Sequence, residues 1–260
     1  MRLKWYGTAT ILLEQDKTRL LFDPFIPLSD STLFPPMNEF SEIEHILVTH
    51  GHPDHISSIP TIIGHCAKDA VVYCTGKPRE CLIAKGVSKG RIQEINPGDV
   101  FRTGSVEVRV LKGKHIIFDT KLLIKTFLSR RILKYWSNFR YLLRENKRCI
   151  EGGETVIYEV FSEKKRIVIM GSLNLDKDTE YQKGADLLVL PLQGRSDICN
   201  YSMFVIDCLQ PKKVMLDHFD DAFPPISSAV DTEPFISLMR EKHPGVEVIR
   251  PIADTAWIEV

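Results

Sequence analysis

The chain has 260 residues, enough for one large domain or two small ones with a substantial core. Hydrophobic residues make up 43% and charged residues 26%, which excludes a disordered chain. Lysine plus arginine and aspartate plus glutamate each number 34, so the zero formal charge offers no global argument for nucleic acid or an anionic membrane.

The opening stretch MRLKWYGTATILLEQ alternates as strands do and lacks the apolar core of a signal peptide. No apolar run reaches the roughly 20 residues of a spanning helix, so a cytoplasmic protein is expected. The six cysteines contain no C-x-x-C pair and read as reduced, mostly buried thiols, with a disulfide as the alternative. Short strands are predicted over Lys4–Tyr6, Thr10–Glu14 and Arg19–Phe22. A proline-rich loop follows over Asp23–Pro36, then the apolar run Glu44–Thr49. Ile56–His65 reads as a helix, Ala70–Cys74 as a strand and Arg79–Lys85 as a short helix. Strand character returns at Ile92–Asn96, Asp99–Phe101 and Val106–Leu111.

Thr120–Arg148 has a different texture, with long apolar and basic residues and no Gly or Pro. Strands resume at Thr155–Phe161, Arg166–Met170 and Leu187–Leu190. Tyr201–Leu209 and Thr232–Lys242 read as helices, and Lys213–Leu216, Val246–Arg250 and Ala256–Val260 as strands. Strand clusters thus precede alternating helix–strand units in both halves. That order predicts an α/β (α+β) protein with two packed sheets, helices outside, and a single domain over 1–260.

The stretch THGHPDH, Thr49–His55, places three histidines and an aspartate between an apolar strand and a helix. His50 and His52 project to one side of an extended segment. Asp54 and His55 follow Pro53, where the chain turns. Imidazole suits zinc, iron or manganese, and the carboxylate adds a harder anionic ligand. A merely polar surface loop explains this density poorly.

The pattern H-x-H-x-D-H resembles the metallo-β-lactamase superfamily. The resemblance implies a four-layer αβ/βα sandwich with one or two divalent ions, zinc first and manganese or iron after it, at one edge of the sheets. It directs attention to a histidine after a mid-chain strand, His115 in VRVLKGKH, and another after a late strand, His218 in KVMLDHFDD. Standing alone, either would be an ordinary polar residue at a strand end; their order and setting reverse that. WYGTATILLE, LLFDPF, ADLLVLPLQG and HFDD look like the branch containing ascorbate-6-phosphate lactonase and N-acyl phosphatidylethanolamine phospholipase D.

Carried over to these positions, the resemblance implies that His50, His52 and His115 hold one metal, and that Asp54, His55 and His218 hold the other. Asp54 is also the candidate catalytic group, as a proton shuttle. Asp23 is either a turn residue or a hydrogen-bonding support for a ligand. The implied activity is hydrolysis of an ester, lactone or phosphodiester by metal-bound hydroxide.

One position departs from the family. Its bridging aspartate follows the strand Arg166–Met170, where this chain reads MGSLN and offers Ser172. A hydroxyl is the poorer ligand. Asp176 stands four residues on, with no geometric reason to take that place. Ser172 keeps open a second reading, a metal-binding sensor or scaffold without catalysis. Di-iron redox chemistry is disfavoured, because that branch usually carries glutamate where this chain has His52.

Thr120–Arg148 carries nine basic residues and one acid, Glu145, a formal +8, with apolar residues spaced for a helical face. Four roles stay open: a peripheral helical insertion, a lid for an anionic or amphipathic small molecule, a homodimer contact, or attachment to a membrane surface. Nucleic acid is not expected, because the aromatics read as packing residues.

Overall fold

The computed structural model describes residues 1–30, 37–149, 154–163, 165–252 and 256–260. Residues 31–36 of the proline-rich loop lie outside that set.

Sheet A is built from β1 (Arg2–Trp5), β2 (Ile11–Gln15), β3 (Thr18–Phe22), β4 (His45–Leu47), β5 (Val71–Cys74), β6 (Ile92–Glu94) and β14 (Ile258–Glu259). Its order is β14-β1-β2-β3-β4-β5-β6. Sheet B contains β7 (Val100–Thr103), β8 (Val106–Lys112), β9 (Val156–Ser162), β10 (Lys165–Met170), β11 (Leu187–Pro191), β12 (Lys213–Asp217) and β13 (Glu247–Ile249), in the order β13-β12-β11-β10-β9-β8-β7. Each sheet begins as an antiparallel meander and continues with parallel strands, β3 to β6 in one and β10 to β13 in the other. Parallel pairs need crossovers, and helices supply most of them.

The crossover helices are α1 (Pro53–Ile56), α2 (Ile59–His65), α3 (Gly76–Ala84), α7 (Ile198–Tyr201), α8 (Met203–Leu209) and α9 (Glu233–Lys242), whereas α4 (Thr120–Phe127), α5 (Arg131–Lys134) and α6 (Trp136–Arg148) lie between the antiparallel strands β8 and β9. The helix predicted over Ile56–His65 is α2, which starts at Ile59, and a separate short α1 precedes it. Pro53 and Pro60 each sit in a first turn, where the missing N–H costs nothing. The helical insertion expected over Thr120–Arg148 consists of three helices.

Alternation of side chains decides the layers. Leu3, Leu13, Leu20 and Phe22 of sheet A point between the sheets and meet Val108, Tyr158 and Val160 of sheet B. Leu12, Leu21, Ile46 and Val72 point the other way, onto Ile59 and Ile62 of α2 and Leu82 of α3. Ile206, Phe235 and Met239 of α8 and α9 pack with sheet B. The result is the four-layer αβ/βα arrangement.

The reading of all six cysteines as free thiols is corrected. Cys81 in α3 and Cys149, just past α6, are disulfide-bonded, with Cα atoms 5.3 Å apart at a sequence separation of 68. That separation made the pair invisible to a search for local spacing. Cys66, Cys74, Cys199 and Cys208 are free. No helix among the described residues is long and apolar enough to cross a membrane.

Candidate metal centre

The centre forms beyond the C-terminal ends of strands from both sheets. β4 leads to His50, β8 to His115, β10 to Ser172 and β12 to His218. Rigid strand ends hold ligands more closely than free loops do. Two groups of side chains result, His50, His52 and His115 in one, and Asp54, His55 and His218 in the other. In each, the donor atoms lie within 4.8 Å of one another. The groups adjoin, since the rings of His50 and His55 are 3.9 Å apart.

Hydrogen bonding sets which ring nitrogen is offered. Asp23 is central. Its Oδ1 accepts from the Thr49 amide at 2.8 Å, and its Oδ2 from the Thr49 hydroxyl at 2.5 Å. The same Oδ2 lies 2.9 Å from His55 Nδ1, which donates to it. Having given its proton to Asp23, the Thr49 hydroxyl accepts from His50 Nδ1 at 3.0 Å. His115 Nδ1 donates to the carbonyl of Ile116 at 2.8 Å. Three histidines therefore spend Nδ1–H on an oxygen and leave Nε2 as the candidate ligand atom, the arrangement metal sites use to orient imidazole. Asp23 thus supports a ligand and is no mere turn residue.

Of the six non-glycine residues with positive φ among the described residues, three lie by the centre. Thr8, Asp23 and His218 have φ of 49°, 41° and 54°. The His218 amide donates to the Thr8 carbonyl at 2.8 Å, and the Thr8 amide is held by the Asp220 carboxylate. This gives the GTAT turn a physical role. Gly171 admits no side chain, because a Cβ there would overlap Thr49. Thr49, Gly171 and Thr8 escaped sequence reasoning as site residues, although each lies in or beside a quoted motif.

The electrostatics suit a cation. Burial, reinforced by His55, His52 and His115, holds His50 well below its usual range, so it is neutral with a lone pair available. Burial opposes protonation of His55, but Asp23 and Asp54 outweigh it and raise its pKa to about 10. Without an ion His55 is thus an imidazolium that balances the two carboxylates, and a metal at Nε2 would displace that proton. Burial would raise Asp54, yet His55 and His218 keep it well below the carboxylate range. Asp217 is pushed well up, by burial first. Both its oxygens and His218 Nδ1 are buried with no hydrogen-bond partner among the described residues. A bound ion and its waters would satisfy such atoms, so the donor set fits one or two divalent metals.

Ser172 has another task here. Its Oγ accepts from the Ile116 amide at 2.9 Å and so braces the turn that carries His115. Asn174 Nδ2 donates to the His115 carbonyl at 3.2 Å, and Gly113 bridges Leu175. Asp176 lies outside the ligand groups and is clamped by Lys114 at 3.1 Å and Lys112 at 3.4 Å. Burial pushes its pKa up, but Lys114, the Asp178 amide and Lys112 prevail and hold it at about 2 against an ordinary 3.8. A depressed carboxylate stabilises above its unfolded value, and that contribution fades as pH falls through the folded one. Titration from pH 4 to pH 2 is expected to loosen the His115 turn. Asp176→Asn should do so at neutral pH, seen as faster amide exchange at 113–116 and unchanged exchange in β4.

Above the centre lies a cavity of about 370 Å³. Its floor is the histidine cluster, and its walls include Leu122, Phe127, Phe139, Leu142 and Leu143 of α4 and α6, facing Phe223, Ile226 and Val230. Arg195 also lines it, tied to Asp197 at 2.7 Å and to the Ile117 carbonyl at 3.1 Å.

Fold and centre together define the class: this is a metallo-β-lactamase fold with a histidine-rich candidate metal centre. A β-lactamase superfamily domain matches residues 18–120. A UPF0173 protein of Pyrococcus furiosus is 22% identical over 220 residues, 84% of this chain and 83% of the relative. A UPF0173 metal-dependent hydrolase of Rhizobium etli is 30% identical over 116 residues, 44% of this chain and about half of the relative's length, at 48%. Among solved structures, Igni18, a metallo hydrolase from Ignicoccus hospitalis, aligns over 100% of this chain and 98% of its own at a TM-score of 0.65 and 17% identity.

Proposed function

We propose that the protein is a metal-dependent hydrolase acting on an ester, lactone or phosphodiester that carries an apolar group. The observation that carries this reading is the convergence of five histidines and Asp54 at the floor of a mostly apolar cavity. His50, His52 and His115 would hold one divalent ion, and Asp54, His55 and His218 a second. A bound ion supplies acidified water and stabilises developing negative charge on the substrate oxygen. The chain's own residues do the rest. Thr49 and Asp23 fix the rings, and the cavity walls of α4 and α6 exclude water and seat the apolar group. Asp54, with Oδ2 at 3.0 Å from His218 Nε2 and 3.3 Å from His55 Nε2, is placed to take up and pass on a proton. The narrower likeness to the lactonase and phospholipase D branch accords with such substrates, and the metal named first is zinc.

The test is a screen of lactones, carboxylic esters and phosphodiesters with and without an alkyl or aryl substituent, using zinc-loaded protein. Turnover that rises with the apolar substituent and is lost to a chelator is expected. No turnover in any class would overturn the reading.

Ser172 favours a second reading, a metal-binding protein without catalysis. The two separate at Ser172→Asp, where restored carboxylate would awaken a decayed site. Because the serine hydroxyl already serves the Ile116 amide, we expect no gain in turnover from Ser172→Asp. Ser172→Ala should cost about 1–3 kcal/mol, the penalty of an unpaired buried donor, measured by denaturant unfolding.

A further inference from the structure

The surface of the Thr120–Arg148 segment has a composition that neither the fold nor the candidate centre explains. Of the twelve large hydrophobic residues exposed on the described surface, nine fall between Ile117 and Leu143. Leu128 is 81% exposed and Leu133 78%, and Trp136 is half exposed. On α4 and its end, Leu123, Ile124, Phe127 and Leu128 recur at helical spacing, so they share one outward face. Contiguous apolar surface of this kind marks an interaction site.

Charge decides the partner. The segment carries nine basic residues against one acidic, while the rest of the chain has 25 against 33, so a +8 face opposes a −8 body. Among the described residues, Lys121, Lys125, Arg130, Lys134, Arg140 and Lys147 make no ion pair, and all six are exposed. A second copy docking on this face would set +8 against +8, which disfavours a symmetric dimer. Exposed aliphatic side chains interleaved with lysine and arginine, with a tryptophan at the edge, match the boundary of an anionic bilayer. The acidic body would be turned away from that bilayer by the same field.

We propose that α4, the turn after it, α5 and the start of α6 dock the protein on an anionic lipid surface. Leu128, Leu133 and Trp136 enter the headgroup region, and the lysines and arginines meet lipid phosphates. Phe127 and Leu143 are exposed and also line the cavity, so the docking face is continuous with the cavity mouth. Docking does not rest on the hydrolase reading, because it uses no residue of the candidate centre.

The experiment is co-sedimentation of the zinc-loaded full chain with phosphatidylcholine vesicles, with and without about 30% phosphatidylglycerol. Trp136 serves as an emission reporter, since Trp5 is buried and Trp257 half-buried. At about 50 mM salt we expect binding to anionic vesicles roughly ten-fold or more tighter than to neutral ones, largely lost at about 500 mM. Leu128→Asp with Leu133→Asp should weaken it about ten-fold or more, with metal content and melting temperature unchanged. Lys121→Glu with Lys125→Glu is the second variant, and should remove the preference for anionic lipid. Absence of vesicle binding, wild-type binding by the leucine variant, or equal binding to neutral vesicles would overturn the proposal. So would a dimer in light scattering that the leucine variant splits while vesicles go unbound, or retention by RNA alone.

Discussion

Alanine at both His52 and Asp54 is expected to strip the protein of metal and of turnover together. His52 belongs to one ligand group and Asp54 to the other, so each group falls from three donors to two. A structural metal site rarely survives that loss. Asp54 is also the carboxylate that both His55 and His218 approach. Its removal leaves the second group without its anionic member and the centre more positive. The transition state loses several kcal/mol of charge stabilisation, roughly a thousand-fold or more in rate. Elemental analysis and turnover of a substrate found in the screen check this, with circular dichroism to show that the fold persists. Turnover that survives the double substitution would remove metal from the mechanism.

Asp23→Ala is expected to have the largest effect on stability of any substitution that leaves the six donor side chains in place. One carboxylate holds the Thr49 amide, the Thr49 hydroxyl and His55 Nδ1, and it is 1% exposed. Its loss strands a buried amide and a buried imidazolium. Breaking such a pair costs about 3–5 kcal/mol. The rings of His50 and His55 also lose their orientation, since Thr49 no longer has a fixed acceptor, and metal affinity should fall about 10–100-fold. Thermal unfolding of metal-free protein and competition with a fluorescent chelator read the two effects separately. Asp23→Asn retains one acceptor and should fall between the two. Wild-type affinity in Asp23→Ala would show that ring orientation does not depend on this relay.

Much of this was legible in the chain itself. Strand and helix order followed from periodicity, because two sheets buried on one or both faces leave clear alternation and short apolar runs. The histidine loop was legible because six of the seven residues Thr49–His55 are either ligand types or the Gly–Pro pair that shapes their turn: His50, His52, Asp54, His55, Gly51 and Pro53. His115 and His218 could be found only by order along the chain, since nothing local separates them from His45 or His243. Other features depend on partners distant in sequence. Thr49 reads as a strand-end threonine until Asp23, 26 residues earlier, is placed beside it. Ser172 reads as a missing ligand until the Ile116 amide, 56 residues away, is seen to need its oxygen. The disulfide between Cys81 and Cys149 and the pairing of β14 with β1 are non-local in the same sense. Helix breaks within Thr120–Arg148 were hidden because no Gly or Pro marks them.

Metal stoichiometry in two single variants tests the central claim most directly. Protein purified without added metal is analysed by mass spectrometry for bound ions, as wild type and as His115→Ala and His218→Ala. The account predicts divalent metal in the wild type and reduced metal in each variant, with the two losses falling on different subsites and adding when combined. Wild-type metal content in both variants would contradict it, because the strands that carry these histidines would then have nothing to do with the ion.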